Sequence, residues 1–195
     1  ALQINGPVKI SLLPTPKLKL YDVSVKTSDN KEFKAARIDL FTGFFGVFSN
    51  NFDSDKIKLY SAELEYDKIR QALLPGKDKE KTTLKIKALE LVNSTLIFDN
   101  NTSDVTRIKN IDLKLNYGGI TSNSLDVSSS FSVGQTRYNF DINFADISEA
   151  GASDDAQFKL YNDAFTISFN GTLAELFSQP KLNGKTSLTL NDLKK

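Results

Sequence analysis

Strict alternation of apolar and polar residues constrains this chain more than any other feature. In "YNFDINF", Tyr138, Phe140, Ile142 and Phe144 fall on one side, with Asn139, Asp141 and Asn143 on the other. Successive side chains of an extended strand point to opposite faces, so this pattern predicts a strand with one apolar and one wet face. Phe165, Ile167, Phe169 and Leu173 repeat it against Thr166, Ser168 and Asn170, and Leu84, Ile86 and Ala88 alternate with Lys85 and Lys87. Turn residues punctuate the strands: "SDNK" at 28–31, "DNNTSD" at 99–104, Tyr117-Gly118-Gly119 and Gly134-Gln135. Many strands with one apolar face each predict an all-β, antiparallel sheet.

The segment "NGPVKISLLPTPKLKLYDVSV" (5–25) interrupts this pattern in two ways. Val8, Ile10 and Leu12 share one side before Pro14 and Pro16, and Leu18 and Leu20 resume after them. Val23 and Val25 then continue the apolar side after a slip of one residue at Asp22. Proline cannot donate to a strand ladder, so the pair predicts an edge, a bulge or a crossing between sheet regions.

Two further segments repeat. "KIKLYSAELEYD" (56–67) aligns without gaps on "ALELVNSTLIFD" (88–99), a shift of 32 residues that matches Ile57 to Leu89, Leu59 to Leu91 and Leu64 to Leu96. "KAARIDL" (34–40) echoes "RIKNIDL" (107–113). Reuse of a small strand unit is how quasi-one-dimensional sheets are built. The repeat divides the chain into two similar halves meeting near 75–82.

Helical spacing is sparse, and one to three short helices are expected. "DKIRQALLPG" (67–76) and "LAELFSQP" (173–180) have short apolar spacings closed by proline. "LFTGFFGVF" (40–48) fits a short buried helix or irregular turn better than a strand.

Composition removes whole classes of chemistry. The chain has no His, Cys, Met or Trp, which excludes thiol catalysis, Ser-His triads, disulfides and ordinary zinc sites. Its 25 Lys and Arg against 24 Asp and Glu leave a net charge of +1, with no cationic excess of the kind nucleic-acid binding needs. Carboxylates are plentiful, but no phosphate loop, nucleophile elbow or metal constellation accompanies them, so neither an enzyme nor a cofactor is expected. "DNNTSD" lacks the sixth-position Gly and distant Glu of a calcium loop and reads as a hairpin turn. "KDKEKTTLKIK" (77–87) could steer anionic headgroups, but the alternation at its end favours a wet strand face. Absence of Met implies that Ala1 begins a trimmed or processed chain.

"GPVKISLLPTPKLKLYDVSV", together with "FKAARIDL", "FTGFFG", "FDSDKIKLYSAELEYD" and the closing "FTISFNGTLAELFSQPKLNGKTSLTLNDL", resembles the AsmA-like family of bacterial envelope proteins. The resemblance covers most of residues 1–195 and rests on the order and spacing of these segments. It implies one β-groove domain: an elongated, twisted antiparallel sheet whose concave face is apolar. It also implies a periplasmic location, a tether to the inner membrane through an anchor outside this chain, and the carriage of phospholipid between membranes in outer-membrane biogenesis. Envelope protein partners are possible, and no catalytic residue is carried over. Full members are several times longer and begin with a membrane helix.

On this reading the lipid-facing candidates are Val8, Ile10, Leu12, Tyr138, Phe140, Ile142, Phe144, Phe165, Ile167 and Phe169. The residues alone leave a second reading open, because a closed β-sandwich acting as a structural or interaction module would hide the same side chains in an ordinary core.

Overall fold

A computed structural model describes residues 2–26, 32–42, 54–65, 87–99, 105–117, 124–148, 152–175 and 179–191. These residues build one twelve-stranded, open sheet. The strands are β1 (Leu2–Ile4), β2 (Val8–Ser11), β3 (Lys17–Lys26), β4 (Glu32–Thr42), β5 (Ser54–Glu65) and β6 (Ala88–Asp99), followed by β7 (Val105–Tyr117), β8 (Leu125–Val133), β9 (Thr136–Ala145), β10 (Ser153–Tyr161), β11 (Phe165–Ala174) and β12 (Lys181–Leu190). From β3 to β12 their order in the sheet follows the sequence, while β1 and β2 lie end to end along the outer side of β3. Among the described strands only neighbours in this order have backbones in contact, so the sheet does not close on itself.

The proline-interrupted segment is thereby explained. Val8 pairs with Leu20 and Ile10 with Leu18, so Leu12 to Pro16 turn the edge hairpin between β2 and β3. The prolines occupy a place where no donor is required.

Every junction is antiparallel but one. β5 and β6 run parallel, with Ile57 beside Leu89, Leu59 beside Leu91 and Leu64 beside Leu96. That register is the 32-residue shift of the sequence repeat. The two copies are neighbours in space, each apolar side chain beside its own counterpart. The stretch of sequence between Glu65 and Ala88 is long enough for the crossover connection that a parallel pair requires.

The slip at Asp22 is the first sign of a second feature. Asp22, Ser61, Asn93 and Asn110 have φ of 49°, 48°, 49° and 52°, in the left-handed region that Asn and Asp tolerate best. They lie on one line across β3, β5, β6 and β7, and each slips the apolar side of its strand by one residue, while the pairing of β3 with β4, β4 with β5 and β5 with β6 keeps one register through the line. At the edge the line meets Asn5 and Gly6, whose amides donate to the Asp22 and Tyr21 carbonyls. A Cβ on Gly6 would lie 2.7 Å from the Tyr21 carbonyl oxygen, so glycine is required there. At β7 the line ends as a bulge that β8 does not match.

Beside this line runs a row of small, buried residues: Val23, Ala35, Ala62 and Ser94, between 0 and 3 % exposed, then Ile111. Leu20, Ile38 and Leu59 on one side, and Phe33 and Leu64 on the other, pack with Val23, Ala35 and Ala62 of this row into one cluster. Only small side chains fit where the larger ones converge. Ser94 Oγ accepts from the Ala62 amide and donates to the Val92 carbonyl, so this buried hydroxyl is satisfied. The Asn93 amide donates to Asp112 Oδ1 at 2.9 Å.

No helix occurs among the described residues. Leu173 and Ala174 belong to β11, and Leu40 to Thr42 belong to β4, where helix or turn was expected. Pairing with an existing strand overrides a weak helical spacing in such short runs. The expected helix at 67–76, residues 43–48 of the apolar segment, most of the basic run at 77–87, the strand start at Leu84 and Ile86, the turns at 28–31, 100–104 and 118–119, and the meeting point near 75–82 lie outside the described residues. Val133 and Thr136 close the two-residue hairpin at Gly134-Gln135, with φ +61° at Gly134.

Candidate functional site

Tracing the strand register across the sheet reveals what alternation along each strand builds. One row of directly paired residues begins Val8, Leu20, Ile38, Leu59, Leu91. It continues Leu113, Ser129, Phe140, Leu160, Ile167, Leu188. Ten of these eleven residues are apolar. A second row starts at Ile10, Leu18, Leu40 and Ile57, passes Leu89, Leu115, Val127 and Ile142, and ends at Phe158, Phe169 and Thr186. Both rows cross from β2 to β12. At about 4.8 Å per strand they form an apolar track roughly 48 Å long.

The track changes character along its length. Through β3–β5 it is aliphatic: Leu20 and Ile38 are buried, and Leu18, Leu40, Ile57 and Leu59 are half-buried against the cluster of Val23, Ala35 and Ala62. Through β8–β11 it is aromatic and half-buried: Phe131 stacks on Tyr138 at 5.6 Å, Tyr138 meets Phe165 at 6.3 Å, and Phe140 meets Phe158 edge-on at 5.4 Å. These distances suit the offset and edge geometries that aromatic quadrupoles favour. Phe169 lies over Gly171 and Gly184, which pair so closely that a Cβ on either would strike backbone and the Phe169 ring.

The structure brings nine of the ten sequence candidates to this one face, with Leu12 in the turn beyond β2, and gives them different roles. Phe144 and Phe169 are buried members of a cluster with Ile147, Ala156 and Leu173. Tyr138, Phe140, Ile142, Phe165 and Ile167 are half-buried. Val8, Ile10 and Leu12 sit on the edge hairpin, 54, 61 and 42 % exposed. The sequence reading passed over Phe131, Phe158 and Leu160. Their signal was present in "LDVSSSFSV" and "AQFKLY", where alternation is diluted by serines on both faces or by a short strand.

The opposite face is polar and internally matched. Along one row Lys19, Asp39, Lys58, Glu90 and Lys114 alternate in sign from strand to strand, and beyond Ser128 the alternation resumes with Asp141 and Lys159. Glu90 holds Lys56 at 2.6 Å and Lys58 at 3.1 Å. Burial works against the Glu90 carboxylate, but hydrogen bonds from Lys56 and Lys58 and their charge outweigh it and lower its pKa. The bond to Glu90 raises the pKa of Lys58 despite burial. Asp39 is almost fully buried and faces Arg37 Nε at 2.9 Å, an ion pair that lacks hydrogen-bond alignment. Burial opposes the Arg37 charge, but Tyr60 and Asp39 outweigh it and raise its pKa. The Arg37 guanidinium lies 3.5 Å from the Tyr60 ring and 6.0 Å from that of Tyr21, while Lys17 and Lys56 flank Phe41. Tyr161 is pushed up by the Asp141 charge, then by burial.

Two hollows of about 480 and 400 Å³ indent this polar face, the first bordered by Lys114, Asp141 and Lys159, the second by Lys58, Glu90 and Tyr161.

The class defined by these features is a single-layer, open, all-β sheet with one apolar and one charge-matched face. No family model, no curated protein and no solved structure matches the chain.

Proposed function

We propose that the apolar track binds the acyl chains of phospholipid and lets them lie or move across the strands, with headgroups left in water. One observation carries this reading. Two apolar rows cross eleven strands with one serine and one terminal threonine between them, while the other face balances its own charges. An apolar face of that extent must be covered by something, and acyl chains match its lack of polar groups. Burying apolar surface recovers about 25 cal/mol per Å², so two chains would contribute on the order of ten kcal/mol before binding costs. Such a surface discriminates poorly between headgroups. No bond is made or broken, so the activity is binding and conduction.

The likeness to AsmA-like proteins points the same way. It supplies the proposed setting: the periplasm, a tether to the inner membrane, and lipid supply to the outer membrane. The second reading, a protein-interaction module of the envelope, is favoured by the exposed edge strand β12. Its closed-sandwich form does not suit the fold, because the clusters and ring contacts of the described residues join strands of one sheet that are adjacent or one apart.

The test is mass spectrometry of an organic extract of the detergent-free protein, against an unrelated β-protein washed in the same way. Near-stoichiometric phospholipid is expected, and its loss in Phe140→Asp without loss of fold would assign it to the track. Lipid at the control level in the unaltered protein would sink the proposal.

A further inference from the structure

The two edges of the sheet are built differently. The first is blunted: β1 has three residues and β2 four, with Asn5, Gly6 and Pro7 between them. The second edge is β12, ten residues without proline and exposed throughout, with Leu182, Leu188 and Leu190 at 54, 63 and 76 %. Among the described strands β12 pairs with β11 alone, so one side of its backbone offers unpaired donors and acceptors, a template for another strand.

This edge is also held firmly. β12 pairs with β11 through all ten residues. Beyond its end, the Asn191 amide donates to the Ala164 carbonyl, and Asn191 Nδ2 donates to the carbonyls of Asn162 and Asp163. At its start Lys181 Nζ meets Glu175 Oε1 at 2.6 Å. A strand fixed at both ends loses little further entropy on acquiring a neighbour.

We infer that β12 pairs antiparallel with β12 of a second copy, about a two-fold axis through Thr186 perpendicular to the sheet. The strand is complementary to itself in that register. On the apolar face Leu182 lies opposite Leu190 of the second copy, and Leu188 opposite its Gly184, which has no side chain to obstruct it. On the polar face Lys185 lies opposite Ser187 and Lys181 opposite Asn191, so no lysine confronts a lysine. Shifting the axis by one residue, to Lys185, would place the two Lys185 side chains against each other, which is unfavourable. The two-fold keeps both apolar faces on one side, so the track of one copy continues into that of the other. The blunted edge cannot repeat the pairing, so assembly closes at two. The inference does not depend on what the apolar face holds.

The chain contains no cysteine, which makes a direct test possible. Thr186→Cys places one thiol per copy at the axis, with Cα atoms about 4.5–5.5 Å apart and within disulfide reach. Under mild oxidation it should cross-link rapidly, whereas Asn183→Cys, which faces Thr189 of the second copy, should not. The unaltered chain should sediment at twice its 21.7 kDa. Ser187→Glu sets a carboxylate opposite Lys185 twice per dimer and Ser187→Lys sets like charges there, so the Glu dimer should be about tenfold tighter. A monomeric mass throughout, or cross-linking no faster at 186 than at 183, would overturn the pairing.

Discussion

The two ends of the apolar face are made of different materials. Across β3–β5 it is aliphatic, creased along a line of left-handed residues, and closed over Val23, Ala35 and Ala62 until almost nothing of them reaches solvent. Across β8–β11 it is aromatic and lies on a region without that crease, and most of its rings keep part of their surface exposed. The polar faces differ in parallel. The first half concentrates stacked cations and ion pairs, whereas the second spreads its charged contacts, Arg137 to Asp112, Lys181 to Glu175 and Lys159 over Tyr161, among serines and asparagines with a hydroxyl pair between Ser168 and Ser187. Small buried residues give a rigid, closed surface because any added volume is felt. Half-exposed rings leave contact area for a ligand to complete. The aliphatic half therefore organises the sheet, and on the proposed lipid-binding reading the aromatic half supplies the adaptable part of the track.

That contrast can be attacked directly. Phe144 and Phe169 are the buried exceptions within the aromatic half, and Phe169 lies over the glycine pair. Phe169→Ala should cost about 3 kcal/mol or more in chemical denaturation followed by circular dichroism, far more than Phe140→Asp. Equal losses at the two sites would erase the distinction between core rings and surface rings. In the aliphatic half, Ala62→Leu should cost roughly 1–3 kcal/mol by overpacking, because Ala35 and Ser94 stand on either side of it. A neutral result would mean that the crease is open.

Ser94→Ala removes the acceptor of the buried Ala62 amide and should cost about 1–2 kcal/mol. At the crease itself, Asn93→Ala should be destabilised by about 1 kcal/mol, with Asn93→Gly retaining most of the stability, since a left-handed φ penalises Cβ. The reverse order of those two variants would show that the backbone there is not left-handed.

The smallest effect belongs to the polar face. Glu90 has a lowered pKa, so its contribution is present above the ordinary glutamate value and lost as pH falls through the folded one. Lys58 has a raised pKa, so its share is present below the ordinary lysine value and lost as pH rises through the folded one. Both are satisfied at neutral pH. Glu90→Gln should lower stability at pH 7 by up to about 1 kcal/mol, with the difference from the unaltered protein shrinking in acid. A gap that widens as the pH falls would contradict the assignment.

Much of this architecture was legible before any coordinates. Alternation at 138–144 and 165–169 marked the strands and their apolar side, and the slip at Asp22 marked an irregularity whose left-handed backbone only the structure reveals. The 32-residue repeat already contained the register between β5 and β6. What it could not disclose was direction. Identical apolar patterns can sit beside each other in parallel or antiparallel, and only a constant difference in residue number, seen in the pairing itself, separates the two. Asn93 and Asn110 were readable in principle, as asparagines in the middle of apolar strands. The alignment of four such residues across the sheet depends on register and was invisible. At Leu40–Thr42 and Leu173–Ala174, within the short helices expected at 40–48 and 173–180, strand pairing outweighed local spacing, while 43–48 and 176–178 lie outside the described residues. Candidate side chains were easier to name than to rank, because alternation tells which face a ring occupies and not how deeply it is covered.

The parallel junction has a consequence for how the molecule forms. Elsewhere each strand can zip onto its predecessor through a nearby connection, as short as the two residues between β8 and β9. Joining β6 to β5 instead requires the ends of a 22-residue excursion, residues 66–87, to find each other. Closing that loop costs about 2 kcal/mol more in chain entropy than closing a two-residue turn. Folding should thus begin independently on either side of the junction and finish there. The two duplicated strands, although neighbours in the sheet, are the pair that meets last.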